Sequence, residues 1–455
     1  MKKSSSFLCL ILFMLTQLCH AAGITPELSE IRVQLSTDNP LTPIYLGKFQ
    51  ISEAAFDPAY VQQLEEILAF DFVYNGQTKP IQRSDQKEMI LNTKEVKAAF
   101  NPQIWKNFGA AHVIKASLLG NKLSLTTFSI HNGSLKQFPE QTFSGKLNED
   151  RRIIHKMADA IHKALFNTEG IASLKILYSA QLKSPKADGS NWVSEIWECD
   201  WDGANAKQIT REDSYCVTPL FIPAKNDRFL YVSYKLGQPK IYIASLKDGV
   251  GHRFIEMRGN QLLPAISPQK DKVAFISDAA GRSDLFIQDF HPEKGDIGKP
   301  IQLFSYPRST QASPTFSPDG NKIAFVSDKD GSPRIYMISA KSTGKRAEAL
   351  MLTKQNIESS CPSWSPDGKK LAYSAKTKGI RQIWIYDFQT KEEQQLTFGP
   401  GNKENPVWAP NSLHLVFNST DASSSELYLV NLNQPESIKI SRGPGKKHYP
   451  SWGSR

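Results

Sequence analysis

The side chains able to do chemistry are scattered rather than gathered into a catalytic signature. No serine occupies a Gly-x-Ser-x-Gly elbow, and no glycine-rich phosphate loop opens a helix. His155 and His162 stand nearly two helical turns apart beside an apolar stripe; a metal there would need a further ligand from elsewhere, so they read as boundary histidines. Asp-Gly pairs begin at Asp202, Asp248, Asp319, Asp330 and Asp367 but lack the oxygen-ligand spacing of a calcium loop, and they read as hairpin turns. No catalytic residue, metal or cofactor is expected. What does recur is charge in front of apolar segments. Arg211, Arg258, Arg308, Lys354, Lys403 and Lys446-Lys447 precede six similar strands, with Glu212, Glu358 and Glu404 among them. Mixed charge of this kind suits a protein partner better than a phosphate backbone.

Those segments are copies of one unit. Pro314-Thr315-Phe316-Ser317-Pro318-Asp319-Gly320 returns as Pro362-Ser363-Trp364-Ser365-Pro366-Asp367-Gly368, with weaker copies led by Pro219, Pro264, Pro406 and Pro450. The steps run from 44 to 50 residues, and each unit offers short strands separated by turns. That period marks a β-propeller of four-stranded blades. The second strand (Ile323-Ala324-Phe325-Val326 in one copy) and the third (Ile335-Tyr336-Met337) each occur six times. The unit opening near Lys175 lacks a proline-led strand, and Pro450-Ser451-Trp452 lacks a second strand after it. Each supplies what the other is missing, so the spacing predicts six blades closed by the C-terminal strand, leaving no free edge. A sandwich or solenoid would not explain that offset. Trp197, Trp364, Trp384, Trp408 and Trp452 read as core wedges. In such a ring the loops into the inner strands converge on one face around the channel. Arg211, Arg258, Arg308, Glu358, Lys403 and Lys446 are nominated there as partner-binding residues.

The chain has 455 residues and a net charge of +10. Met1-Lys2-Lys3, an apolar run from Phe7 to Leu15 and Ala21-Ala22 form the three regions of a secretory signal peptide, expected to span residues 1–22. Its removal takes Cys9 and Cys19, leaving Cys199, Cys216 and Cys361. Burial as small hydrophobes and a Cys199–Cys216 bond both remain open. Residues 23–167 read as a small α/β domain: a strand at Ile31–Leu35, a second at Ile44–Leu46, and a helix begun by Asp57-Pro58. A second helical patch covers Thr93–Phe108, and paired strands flank Gly120. A final helix over Glu149–Leu165 carries an apolar stripe that must cover a sheet or another helix. Residues 168–455 are the propeller.

This order resembles the TolB family: export peptide, α/β domain, terminal helix, and a six-bladed ring whose repeats include P-x-[FW]-S-P-D-G at Pro314 and Pro362. The resemblance implies a monomeric, non-enzymatic protein of the Gram-negative periplasm in the Tol–Pal system, supporting outer-membrane integrity and envelope constriction at division. It implies that the propeller face near the channel binds Pal, the peptidoglycan-associated lipoprotein, and that the N-terminal region engages TolA, with outer-membrane proteins as further partners. By position, Glu30, Ile31, Arg32, Val33, Gln34 and Leu35 correspond to that N-terminal strand. Nucleic acid and a membrane-embedded form are not expected. Two other classes stand beside it. A hydrolase or lyase would need acids or histidines converging in the channel, and a carbohydrate-binding propeller would need exposed tryptophans around it.

Overall fold

The computed structural model describes residues 40–53, 55–184, 192–222, 227–291, 295–342 and 348–453. The expected signal peptide, residues 1–22, and Glu30–Leu35 lie outside the described residues. In the N-terminal region β1 (Thr42–Ser52), β2 (Thr78–Pro80), β3 (His112–Leu119), β4 (Lys122–Ser129), β5 (Ser134–Gln137) and β6 (Gln141–Thr142) form one sheet. Its order is β2-β1-β3-β4-β5, with β6 also paired to β4. β1 runs parallel to β2 and β3, and β3 turns at Gly120 into antiparallel β4.

Alternation along β1 divides the core. Ile44 and Leu46 face α1 (Pro58–Tyr74) and α5 (Leu147–Phe166), whereas Tyr45 faces α2 (Asp85–Leu91), α3 (Val96–Ala99) and α4 (Pro102–Asn107) with Leu91 and Trp105. The Asp57 carboxylate accepts from the Ala59 amide at 2.7 Å, with Pro58 on the first turn of α1. Helix α5 ends on Asn167 in the left-handed conformation, φ 55°. α2 is an element the sequence pattern had not indicated. The following helical patch breaks at Asn101-Pro102, where Asn101 caps the helix that Pro102 begins.

Six four-stranded sheets follow, which makes the chain an α/β region followed by a six-bladed propeller. Blade 1 is closed by the chain's end: Lys446–Trp452 lies antiparallel to Lys175–Lys183, with His448 opposite Ser179 and Trp452 opposite Ile176. The Gly453 amide adds a bond to the Lys175 carbonyl at 2.8 Å. Blades 2 to 6 begin with inner strands Cys216–Phe221, Gln261–Ile266, Gln311–Phe316, Ser360–Trp364 and Asn402–Trp408. Ser-Pro-Asp-Gly closes its hairpin as the turn chemistry requires. The Gly320 amide bonds the Ser317 carbonyl at 2.8 Å with φ 69°, and Asp319 accepts from the Asn321 amide at 3.1 Å. Hydrogen bonds from Ser317 and Asn321 hold the Asp319 carboxyl down to about 2. Its oxygens therefore serve the turn.

The repeated prolines sit inside the inner strands rather than at their start. At each one the register slips, between Val217 and Leu220 in blade 2 and at the matching place in the other five. The residue before proline has positive φ in all six: Thr218, Leu263, Ser313, Cys361, Asn405 and Tyr449, between 47° and 54°. A bulge explains why a strand interior tolerates proline, because no ladder bond is asked of its nitrogen. It also puts backbone strain in a ring around the axis.

The α/β region and the propeller share one hydrophobic cluster. Leu64 and Leu68 of α1 and Ile154 and Ile161 of α5 join Trp201 and Trp452 of blade 1 and Val416 of blade 6. The contact uses the turns between first and second and between third and fourth strands. His414 Nε2 lies 2.8 Å from the Tyr74 carbonyl, Asn433 Nδ2 donates to the Gly76 carbonyl at 2.6 Å, and Gln434 Nε2 to that of Val73 at 3.0 Å.

Candidate functional site: the open channel face

Strand ends alternate, so the face away from the α/β region collects the loops into the inner strands and those between second and third strands. A cavity of about 250 Å³ runs along the axis, lined by the inner strands of all six blades and including Cys361 and the bulge residues. Around its mouth, Arg211, Arg258 and Arg308 are exposed. Glu358 is half-buried, 3.3 Å from the Lys376 ammonium, and its carbonyl accepts from Arg381 at 3.0 Å. Lys446 opens the closing strand, half-buried.

Lys403 does not belong with them. It lies within the Asn402–Trp408 strand, only 6% exposed, and its ammonium donates to the carbonyls of Gly399, Pro400 and Gly401 at 3.1, 2.6 and 3.0 Å. Burial pulls its pKa down. Lys447 and Lys240 fasten the equivalent loops of blades 1 and 3 in the same way, bonding Gly443 and Met257. These cations staple loops and leave the rim to the arginines. Carboxylates act alongside them: Glu393 accepts from the Lys354 and Gln355 amides at 2.7 and 3.0 Å, and Glu212 takes bonds from Tyr231 and Lys235. Burial pushes Glu212 up, but the bonds from Lys235, Ser233 and Tyr231 outweigh it and hold it low. Glu404 is raised by burial, partly offset by Arg381 3.7 Å away.

The sequence reading missed the apolar half of this face. Trp192, Tyr215, Leu236, Ile357 and Ile380 are 47, 40, 66, 53 and 37% exposed, all in loops or strand ends on the channel side. Tyr215 and Tyr234 pack edge-to-face with centroids 5.7 Å apart. Large apolar residues inside those loops were the available signal. Aromatics and arginines around a concavity are the usual composition of a protein-binding hot spot. The five recurrent tryptophans do pack inward, Trp408 and Trp452 being buried and Trp197, Trp364 and Trp384 partly so.

The three cysteines are unbonded, Cys199 and Cys216 buried, and burial pushes both thiols up. The two helical histidines are not boundary residues; both are buried in the junction between the α/β region and the propeller. His155, Asp200 and Asp202 bring ligand atoms within 4.8 Å of one another, but Arg151 pairs with both carboxylates and Lys175 with Asp200. The cluster is an ion-pair network.

A six-bladed propeller carrying an α/β region on one end and an aromatic and basic channel mouth on the other has the build of a docking platform. The TolB β-propeller domain family matches residues 162–455. The TolB homologue of Protochlamydia amoebophila is 50% identical over 383 residues, 82% of this chain and 81% of that protein. A Chlamydia trachomatis TolB homologue is 34% identical over 397 residues, 87% of this chain and 85% of its own. The crystal structure of TolB from Acinetobacter baumannii superposes with a TM-score of 0.73 at 18% identity, covering 92% of this chain and 98% of that one. The chain belongs to the TolB family. Among the described residues no helix is long and apolar enough to cross a membrane.

Proposed function

We propose that this protein is a non-enzymatic periplasmic scaffold of the Tol–Pal system. It binds Pal on the open channel face and TolA through the region around Glu30–Leu35, and so supports outer-membrane integrity and envelope constriction. One observation carries the reading: five exposed apolar side chains, Trp192, Tyr215, Leu236, Ile357 and Ile380, and exposed arginines that include Arg211, Arg258 and Arg308 share the face that the α/β region leaves free. Contact residues are Arg211, Arg258, Arg308 and Glu358, with Lys446 at the edge and Leu236, Tyr215 and Ile357 as apolar anchors. Lys403 acts only by shaping its loop.

Calorimetric titration with purified Pal tests this. Leu236→Asp and Arg258→Glu are expected to weaken binding at least tenfold, the scale of one hot-spot truncation above about 1.4 kcal/mol. Lys322→Glu, exposed on the Ser-Pro-Asp-Gly side, is expected to leave it unchanged. Equal effects on both faces would overturn the assignment. Deleting residues 23–35 is expected to abolish TolA binding, and retained binding would remove the N-terminal strand from the site.

A further inference from the structure

We propose that docking of the α/β region onto the propeller is a proton-dependent contact, made by a protonated His155 between Asp71 and the blade 1 pair Asp200 and Asp202. His155 projects from α5 and is 1% exposed. Its Nδ1 lies 2.8 and 2.9 Å from the Asp71 carboxylate oxygens. Asp71 also accepts from the Trp201 indole at 2.9 Å, so one carboxylate on α1 is held by groups from both sides of the junction. The other ring nitrogen, Nε2, is buried without a hydrogen-bond partner, and the ring brings a nitrogen within 4.8 Å of carboxylate oxygens of Asp200 and Asp202.

Charge decides its state. The α/β side brings Asp71, Arg151 and His155; the propeller side brings Asp200, Asp202 and Lys175. With a neutral imidazole, an uncharged surface meets one with a net negative charge. With an imidazolium, a net positive surface meets a net negative one, and the buried cluster balances. Burial disfavours the charged ring, but the Asp71 charge and hydrogen bond, followed by Asp202 and Asp200, outweigh it and lift His155 above its ordinary 6.5. Other titratable groups nearby are turned elsewhere. Asp159, one turn on, accepts from the Ala172 and Ser173 amides at 2.9 and 3.0 Å, and His162 lies 3.2 Å from the Thr168 hydroxyl. His414, edge-on to Trp201, is bonded to Tyr74 and pushed down to about 4 by burial.

The direction follows. A raised histidine contributes stability that is complete below 6.5 and is lost as pH rises through its docked-state value. Each unit of elevation is about a tenfold change in the docked-to-undocked ratio between the acid and alkaline limits. The six-group junction thereby links proton concentration to how firmly the α/β region is held, at the end of the propeller opposite the channel mouth.

Nitrogen-15 NMR of the imidazoles in the intact exported chain tests this without a mutation. His155 is expected to remain doubly protonated above 6.5; a neutral ring at pH 6 would overturn the proposal. Hydrogen exchange over α5 and the Asn431–Gln434 turn is expected to speed up at least tenfold from pH 5.5 to 8.5, after correction for intrinsic exchange. His155→Gln and Asp202→Asn should each flatten that dependence. An exchange rate that ignores pH but responds to zinc or to chelator would replace the proton with a metal and refute it.

Discussion

Trp452 and Trp192 give a matched pair for ring closure. Trp452 lies in the closing strand opposite Ile176, 6% exposed, among residues of blade 1, blade 6 and the α/β region. Its indole N–H has no partner, so truncation breaks no hydrogen bond and reports packing alone. A buried tryptophan removes about 200 Å² of surface from water, worth roughly 5 kcal/mol at ~25 cal/mol per Å². Measured truncations of this kind cost about 3–5 kcal/mol. Trp452→Ala should therefore lower the urea midpoint by roughly 1–1.7 M for a slope near 3 kcal/mol/M. Trp192, 47% exposed, should cost no more than about 0.5 kcal/mol when changed to Ala. Parallel urea titrations followed by circular dichroism make the comparison. Equal midpoints for the two variants would mean that the C-terminal strand does not close the ring.

Three other perturbations follow from the same geometry. Gly203 has φ 80°, and a β-carbon there would lie 1.7 Å from the Ile440 carbonyl oxygen, so Gly203→Ala should lower thermal stability by forcing blades 1 and 6 apart, as a melting curve will read. Lys403→Met should cost about 1–3 kcal/mol in urea melts by stripping three loop carbonyls of their donor, and should weaken Pal only as far as the loop loosens. Asp319, held at about 2, adds stability present above its ordinary 3.8 and lost as pH falls toward 2. Asp319→Asn should therefore flatten the acid limb of the stability profile between pH 4 and 2.

The ring was legible because its repeat is local. Each Pro-x-[Phe/Trp]-Ser-Pro segment states its own strand and turn, and the unmatched ends at Lys175 and Trp452 declared their pairing without a long-range argument. Helix α5 was legible for the same reason, its stripe being long enough to give a period, whereas seven-residue α2 was too short for one. The prolines were placed but their role was not: a residue before proline ordinarily takes extended backbone, and only the two-strand register reveals the bulge. Lys403 misled because position in a chain does not say which way a side chain points. His155 looked like a boundary residue because its partners, Asp71 and Asp200–Asp202, come from distant segments, and burial of charge is a property of the assembled junction.

The scaffold reading comes down to which end of the propeller a partner covers. Hydrogen exchange of residues 23–455 with and without saturating Pal compares them directly. Protection is expected in the loops carrying Arg211, Leu236, Arg258, Arg308 and Ile357, with the Ser317–Lys322 and Ser365–Lys370 turns unchanged. Protection confined to those turns, or none on the channel side, would contradict it.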